Sequence, residues 1–233
     1  MNIAILHYSV PPIVGGVESV IGHHARLMSA NGHSVRLIAA RGAAMSAEIP
    51  LMQIPLADSR HERITLMKQE LDKGIVPASF DSLRDELADE IKKALTGVDL
   101  LIAHNVCSLS KNLALTAALH KLHQADQLPR LILWHHDLAW TTPRYLPELH
   151  EGYPWNLLKT DWGNTTRLQG HGARRPARRL LQGPRRSALR ERAGARPPAL
   201  RHKHVPVMAA RPSLSHGRAQ RRDQHAARQR QLD

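Results

Sequence analysis

The 233-residue chain carries 33 Lys and Arg against 20 Asp and Glu, with 42% hydrophobic but only 3% aromatic residues. A single cysteine, Cys107, excludes an internal disulfide, and no run approaches the roughly 18 apolar residues of a membrane-spanning helix. The N-terminus has no basic region ahead of its short apolar run, so a signal peptide is not expected and a cytoplasmic protein is.

Neither apolar residues nor charge are evenly spread. Every Trp, Tyr, Phe and Ile lies at or before Trp162, so the material for a close-packed interior stops there. Charge divides at the same place, with 15 basic and 17 acidic residues up to Trp162, and 18 basic against three acidic after it. The basic character therefore belongs to residues 163–233 and says nothing about the folded part.

Ile3 to Leu6 reads as a short buried strand, followed by a loop with Pro11, Pro12, Gly15 and Gly16. Val17, Val20, Ile21, His24 and Met28 then recur at helical spacing, and Gly32 stands where a helix would end. Strands follow at Val35 to Ala39 and Leu51 to Ile54, then helices near Ile64 to Leu71 and Ser82 to Leu95. Asp99 to Ala103 is a fourth strand, Leu113 to Leu122 a helix, and Leu131 to Trp134 a fifth strand. Strands separated by helices predict an α/β fold, a Rossmann-like parallel sheet with helices on both faces and a ligand crevice at the carboxyl ends of the strands.

Three segments fall at that crevice. Gly15 and Gly16 directly precede a helix, where free amides and the helix dipole favour an anion such as a diphosphate. His104 and Asn105 end the fourth strand, and His135, His136 and Asp137 end the fifth, so two polar clusters converge where a substrate belongs. Successive strand residues point to opposite faces, so His135 and His136 are poorly placed to share a metal ion, and His23-His24 is no better. Nicotinamide binding is disfavoured: the Gly pair comes late, no third Gly follows in register, and strand two ends at Ala39-Ala40-Arg41 without an acidic residue. Hydrolase, zinc-protease and P-loop motifs are absent, and Asp85 to Glu90 reads as a solvated helix face.

The ordered set of motifs is similar to the opening of the retaining family 4 glycosyltransferases of the GT-B fold. It comprises Pro11-Pro12 with Gly15-Gly16-Val17-Glu18, Asn31-Gly32-His33-Ser34-Val35, His104-Asn105, Asn112 to Leu119, Trp134 to Asp137, and Tyr153 to Thr160. The resemblance implies that residues 1–162 are the N-terminal, acceptor-side domain of a hexosyltransferase whose second domain grips the sugar nucleotide. It implies that Gly15 and Gly16 close over the donor diphosphate, and that His136, the catalytic residue, hydrogen-bonds the transferred sugar or the departing phosphate. Asp137, His104 and Asn105 would line the cleft on the acceptor side. It also implies no metal and no cofactor, the sugar nucleotide being a substrate, and a carbohydrate or lipid-linked acceptor, with peripheral attachment to the inner face of the membrane left open.

Nothing after Trp162 resembles the donor domain. Residues 163–233 are expected to be an Arg-rich tail without a fold, a frameshifted reading that replaces the donor domain and leaves the chain incomplete and inactive. Two other readings stay open, a nucleotide-binding module without catalysis and a polyanion or nucleic-acid binder acting through the tail. The tail lacks aromatics to stack on bases, which makes its electrostatic affinity incidental.

Overall fold

The computed structural model describes residues 1–163 and 165–169. The elements, in chain order, are β1 (Asn2–Leu6), α1 (Gly16–Ala30), β2 (Ser34–Ala39), β3 (Leu51–Gln53), α2 (Glu62–Leu71), α3 (Phe80–Ala94), β4 (Leu100–His104), α4 (Leu113–Gln124), β5 (Arg130–His135) and β6 (Thr166–Gln169). These strands pair only in parallel, in the order β3-β2-β1-β4-β5-β6. This is the predicted Rossmann-like α/β sheet, each expected strand and helix lying within two residues of its place.

Alternation along the strands divides the interior in two. Ile3 and Ile5 of β1 join Val35, Leu37 and Ile102 beneath Ile21 and Ala25 of α1. Ala4, Leu6, Leu101, Ala103, Leu131 and Leu133 face the other way, against the apolar sides of α2, α3 and α4. The two crossovers that move away from β1 in opposite directions thus place their helices on opposite faces, as right-handed connections require. The switch point lies between β1 and β4.

One strand was not anticipated. β6 lies beyond residue 162 and pairs with β5 through Ile132 to His135. Thr-Arg-Leu-Gln has no apolar run to announce a buried strand, because β6 is an edge whose Thr166, Leu168 and Gln169 are exposed. The sheet therefore runs past the boundary that composition marks. The predicted absence of a fold in the tail falls, from residue 170 onward, outside the described residues.

Candidate active site

The site grows from the carboxyl ends of β1, β4 and β5, and each of these strands runs into a histidine. His7 follows β1, and its Nδ1–H donates to the His104 carbonyl at 2.7 Å, bridging the switch point. A carbonyl only accepts, so the proton sits on Nδ1 and His7 is held in one tautomer. Burial lowers its pKa to about 4, against a smaller upward pull from that bond.

His104 ends β4 and is fully buried. Its Nδ1 lies 3.1 Å from His136 Nε2, one of the two nitrogens donating, and the rings stack with centroids 5.4 Å apart. Burial, followed by the neighbouring His136, His7 and His24, pushes the His104 pKa down to about 2. The His136 pKa is lowered as well, by burial first, with Asp137 opposing it. At neutral pH the pair is uncharged. Because Nε2 of His136 is spent on His104, Nδ1 is the ring atom left for a ligand.

Trp134 also stacks with His104, ring centroids 5.6 Å apart, and His24 of α1 meets the Trp134 ring edge-on at 4.6 Å. Burial lowers the pKa of His24 too. His135 points away from this wall: it is buried, both ring nitrogens lack a partner, and burial lowers its pKa to about 4.

Asn105 acts as a clamp. Its Oδ1 accepts the backbone N–H of His136 at 2.6 Å and that of Asp137 at 3.3 Å, while Nδ2 donates to Asp137 Oδ2 at 3.5 Å. The residue is 2% exposed and has φ 56°, a left-handed conformation that asparagine tolerates better than most. Most of its amide is consumed inside the protein, so the structure makes Asn105 a positioning residue for His136 and Asp137.

The glycine loop approaches from β1. Gly15 precedes α1 in extended conformation, and a Cβ there would collide with Glu18 Oε2. The Glu18 carboxylate thus sits over the start of α1, where the sequence placed a donor phosphate. Ser9 Oγ donates to Glu18 Oε1 at 2.6 Å. Burial raises the Glu18 pKa, but Ser9, the Glu18 backbone N–H, His7 and Lys111 together outweigh it and leave it lowered. A Cβ on Gly16 would meet nothing within 4 Å, so Gly16 is free to face a ligand.

Sequence reasoning missed His7, Glu18 as a side-chain anion and Lys111, a half-buried cation in electrostatic reach of Glu18 and Asp137. The signal for His7 was present, since three strands of one sheet each run into histidine. No family model and no curated protein matches this chain. Among the described residues, no group of three or more His, Cys, Asp or Glu is placed to hold a metal ion, and no helix is long and apolar enough to cross a membrane.

Proposed function

We propose that this domain is the acceptor-side half of a retaining, sugar-nucleotide-dependent hexosyltransferase resembling family 4 of the GT-B fold. The observation that carries the reading is the junction of three strand ends and the α1 loop. His7 is bonded to the His104 carbonyl, His104 to His136, and Glu18, which stands over Gly15, is in electrostatic reach of His7. A wall of uncharged imidazoles beside a helix start suits a leaving diphosphate and a sugar, because fixed donors there stabilise developing charge without reorganising. His136 would offer Nδ1–H to the transferred sugar or the departing phosphate. Asp137, oriented by Asn105, would accept from an acceptor hydroxyl. The end of β2 supports this over nicotinamide binding: Arg41 stands there, paired with Asp58 at 2.7 Å, and leaves no free carboxylate for a ribose.

The chain as it stands is expected to transfer no sugar, because the basic residues that neutralise the diphosphate belong to the donor domain. The test restores that domain by expressing the gene in the alternative frame after β6 and assaying common sugar nucleotides. The expected result is transfer with retention of configuration, lowered about a hundredfold in kcat by His136→Ala, the usual cost of one fixed donor. Transfer that is indifferent to His136→Ala, or turnover by the present chain alone, overturns the reading.

A further inference from the structure

His104 has a second imidazole neighbour besides His136. Its ring centroid lies 5.4 Å from that of His136, to which it is hydrogen-bonded, with Nδ1 and the His136 Nε2 3.1 Å apart. The ring of His24, on α1, lies 5.5 Å from His104 at a tilt of 50°. The two spans are nearly equal, so His24 stands at the distance of a hydrogen-bonded imidazole. His24 Nδ1 and His104 Nε2 are both buried, and neither finds a partner among the described residues.

A buried nitrogen without a partner costs about as much as a lost hydrogen bond, and here two such nitrogens belong to adjoining rings. One bond between them would satisfy both. At this separation it calls for a turn of the rings and not for an approach of α1 to the sheet. Trp134 Nε1 is buried and unpartnered too, but an indole only donates, so it can serve one histidine nitrogen and leaves the other bare. His7 stays outside the series, because its Nδ1–H is committed to the His104 carbonyl at 2.7 Å.

We propose that His24, His104 and His136 form a proton relay from α1 to the ligand side of His136. His24 and His136, at its ends, are half-buried, while His104, in the middle, is fully buried. Each neutral ring carries one proton and each link uses one, so two arrangements satisfy the series. In the first, His24 Nδ1–H donates to His104 Nε2, His104 Nδ1–H donates to His136 Nε2, and His136 Nδ1–H faces the ligand. In the second, every proton sits on Nε2 and His136 Nδ1 is a bare acceptor. Passing from the first to the second releases one proton from His136 Nδ1 to a ligand oxygen and takes one from water at His24 Nε2. No ring is left charged. The reverse passage takes a proton from a ligand hydroxyl and returns one to water. The relay does not depend on the transferase reading, within which the first passage serves the departing phosphate.

The experiment is nuclear magnetic resonance of the full chain carrying nitrogen-labelled histidine and tryptophan, with each ring assigned by its single removal. In the parent, scalar coupling through the hydrogen bond is expected on both links, His24 Nδ1 to His104 Nε2 and His104 Nδ1 to His136 Nε2. Coupling confined to the second link overturns the relay, as does coupling of Trp134 Nε1 to either unpartnered histidine nitrogen. Two substitutions then test transmission. The ammonium of His24→Lys only donates and the carboxylate of His24→Glu only accepts. His24→Lys should favour the proton on His136 Nδ1 about tenfold and His24→Glu should favour Nε2 about tenfold, the worth of one charge-assisted bond. An unchanged ratio of His136 tautomers in both variants overturns the relay. Backbone amide signals of β4 and β5 that match the parent separate a changed tautomer from a changed fold, and the parent couplings decide the matter if either variant fails to fold. Both couplings in a donor-restored protein that transfers no sugar support the relay and sink the transferase reading instead.

Discussion

Asn105 Oδ1 lies 2.6 Å from the backbone nitrogen of His136, so the residue that follows β4 sets the course of the chain leaving β5. The two strands are hydrogen-bonded neighbours whose register already pairs His104 with Trp134. Asn105 extends that register one step past the sheet, with a side chain in place of a backbone partner.

Replacing Asn105 by Ala removes the acceptor for two backbone N–H groups and leaves a β-carbon in the left-handed region. The expected loss is about 3 kcal/mol, adding roughly 1 kcal/mol per bond to at least 1 kcal/mol of backbone strain. Asn105→Gly loses the same bonds without the strain and should cost about 1 kcal/mol less. Urea unfolding of the two variants separates the contributions, and equal losses would show that the backbone is unstrained.

Acid should unfold the domain early. His7 and His135 titrate at about 4 and His104 at about 2 when folded, against an ordinary 6.5. Below pH 6.5 the unfolded chain takes up protons that the folded one refuses. Stability is therefore full above about pH 7 and falls with pH through the window from 6.5 to 4. Each such histidine contributes a slope of up to about 1.4 kcal/mol per pH unit. Denaturant midpoints measured from pH 7.5 to 5 should show this, and His135→Leu should reduce the slope by close to one proton. A midpoint flat across that range would mean that the histidines are not buried as neutral rings.

The loop at the start of α1 offers a cleaner test of geometry. In Gly15→Ala the new methyl displaces the Glu18 carboxylate, whose flexible end can move, at the cost of its bond to Ser9. The expected loss is about 1 to 2 kcal/mol, as for a hydrogen bond to a charged group. In a Glu18→Ala background the same substitution should cost nothing further, since Gly15 is extended and its φ suits any residue. Additive costs in this double-mutant cycle would remove Glu18 from the start of the helix.

Much of this was legible beforehand, and the reasons differ from part to part. The five strands that were read are apolar runs bounded by turns, and the helices between them repeat apolar residues at helical spacing. β6 has neither mark. His104, Asn105, His136 and Asp137 could be placed at one crevice because they end strands of a sheet whose ligand face is known from its connections. The His7 bridge depends on β1 and β4 being neighbours, a consequence of strand order that spacing does not reveal. Lys111 is a single half-buried charge in a short turn, which no spacing or periodicity announces.

The two faces of the sheet should respond differently to truncation. Leu133 is fully buried under α4, and Leu133→Ala should cost about 3 kcal/mol as a core cavity. Leu168, 38% exposed on β6, should cost under about 1 kcal/mol on truncation to Ala. Thermal melts of the pair decide it, and a comparable loss at Leu168 would mean that this edge is covered.

That contrast sharpens the idea that the tail is an out-of-frame reading. On the α1 side of the sheet, Leu100, Ile132 and Trp134 are only partly buried; a separate open cavity of about 570 Å³ lies at the amino ends of β4, β5 and β6, against His123, Asp126 and Leu128. A sheet of this kind is normally covered on both faces, so a helix with an apolar side is owed after β6. From Gly170 onward the sequence instead contains 16 Arg and no Ile, Phe, Tyr or Trp, and its Arg, Ala, Pro, Gly, His and Gln are residue types of GC-rich codons. The proposed frame change would account for the composition. The expected outcome of reading the encoding DNA in its other frames is an amphipathic helix directly after β6, followed by a second alternation of strands and helices. Such a domain would also supply the missing partner for the neutral histidine wall. Early stop codons in both other frames would refute the frame change, and the Arg-rich segment would then be native to this protein.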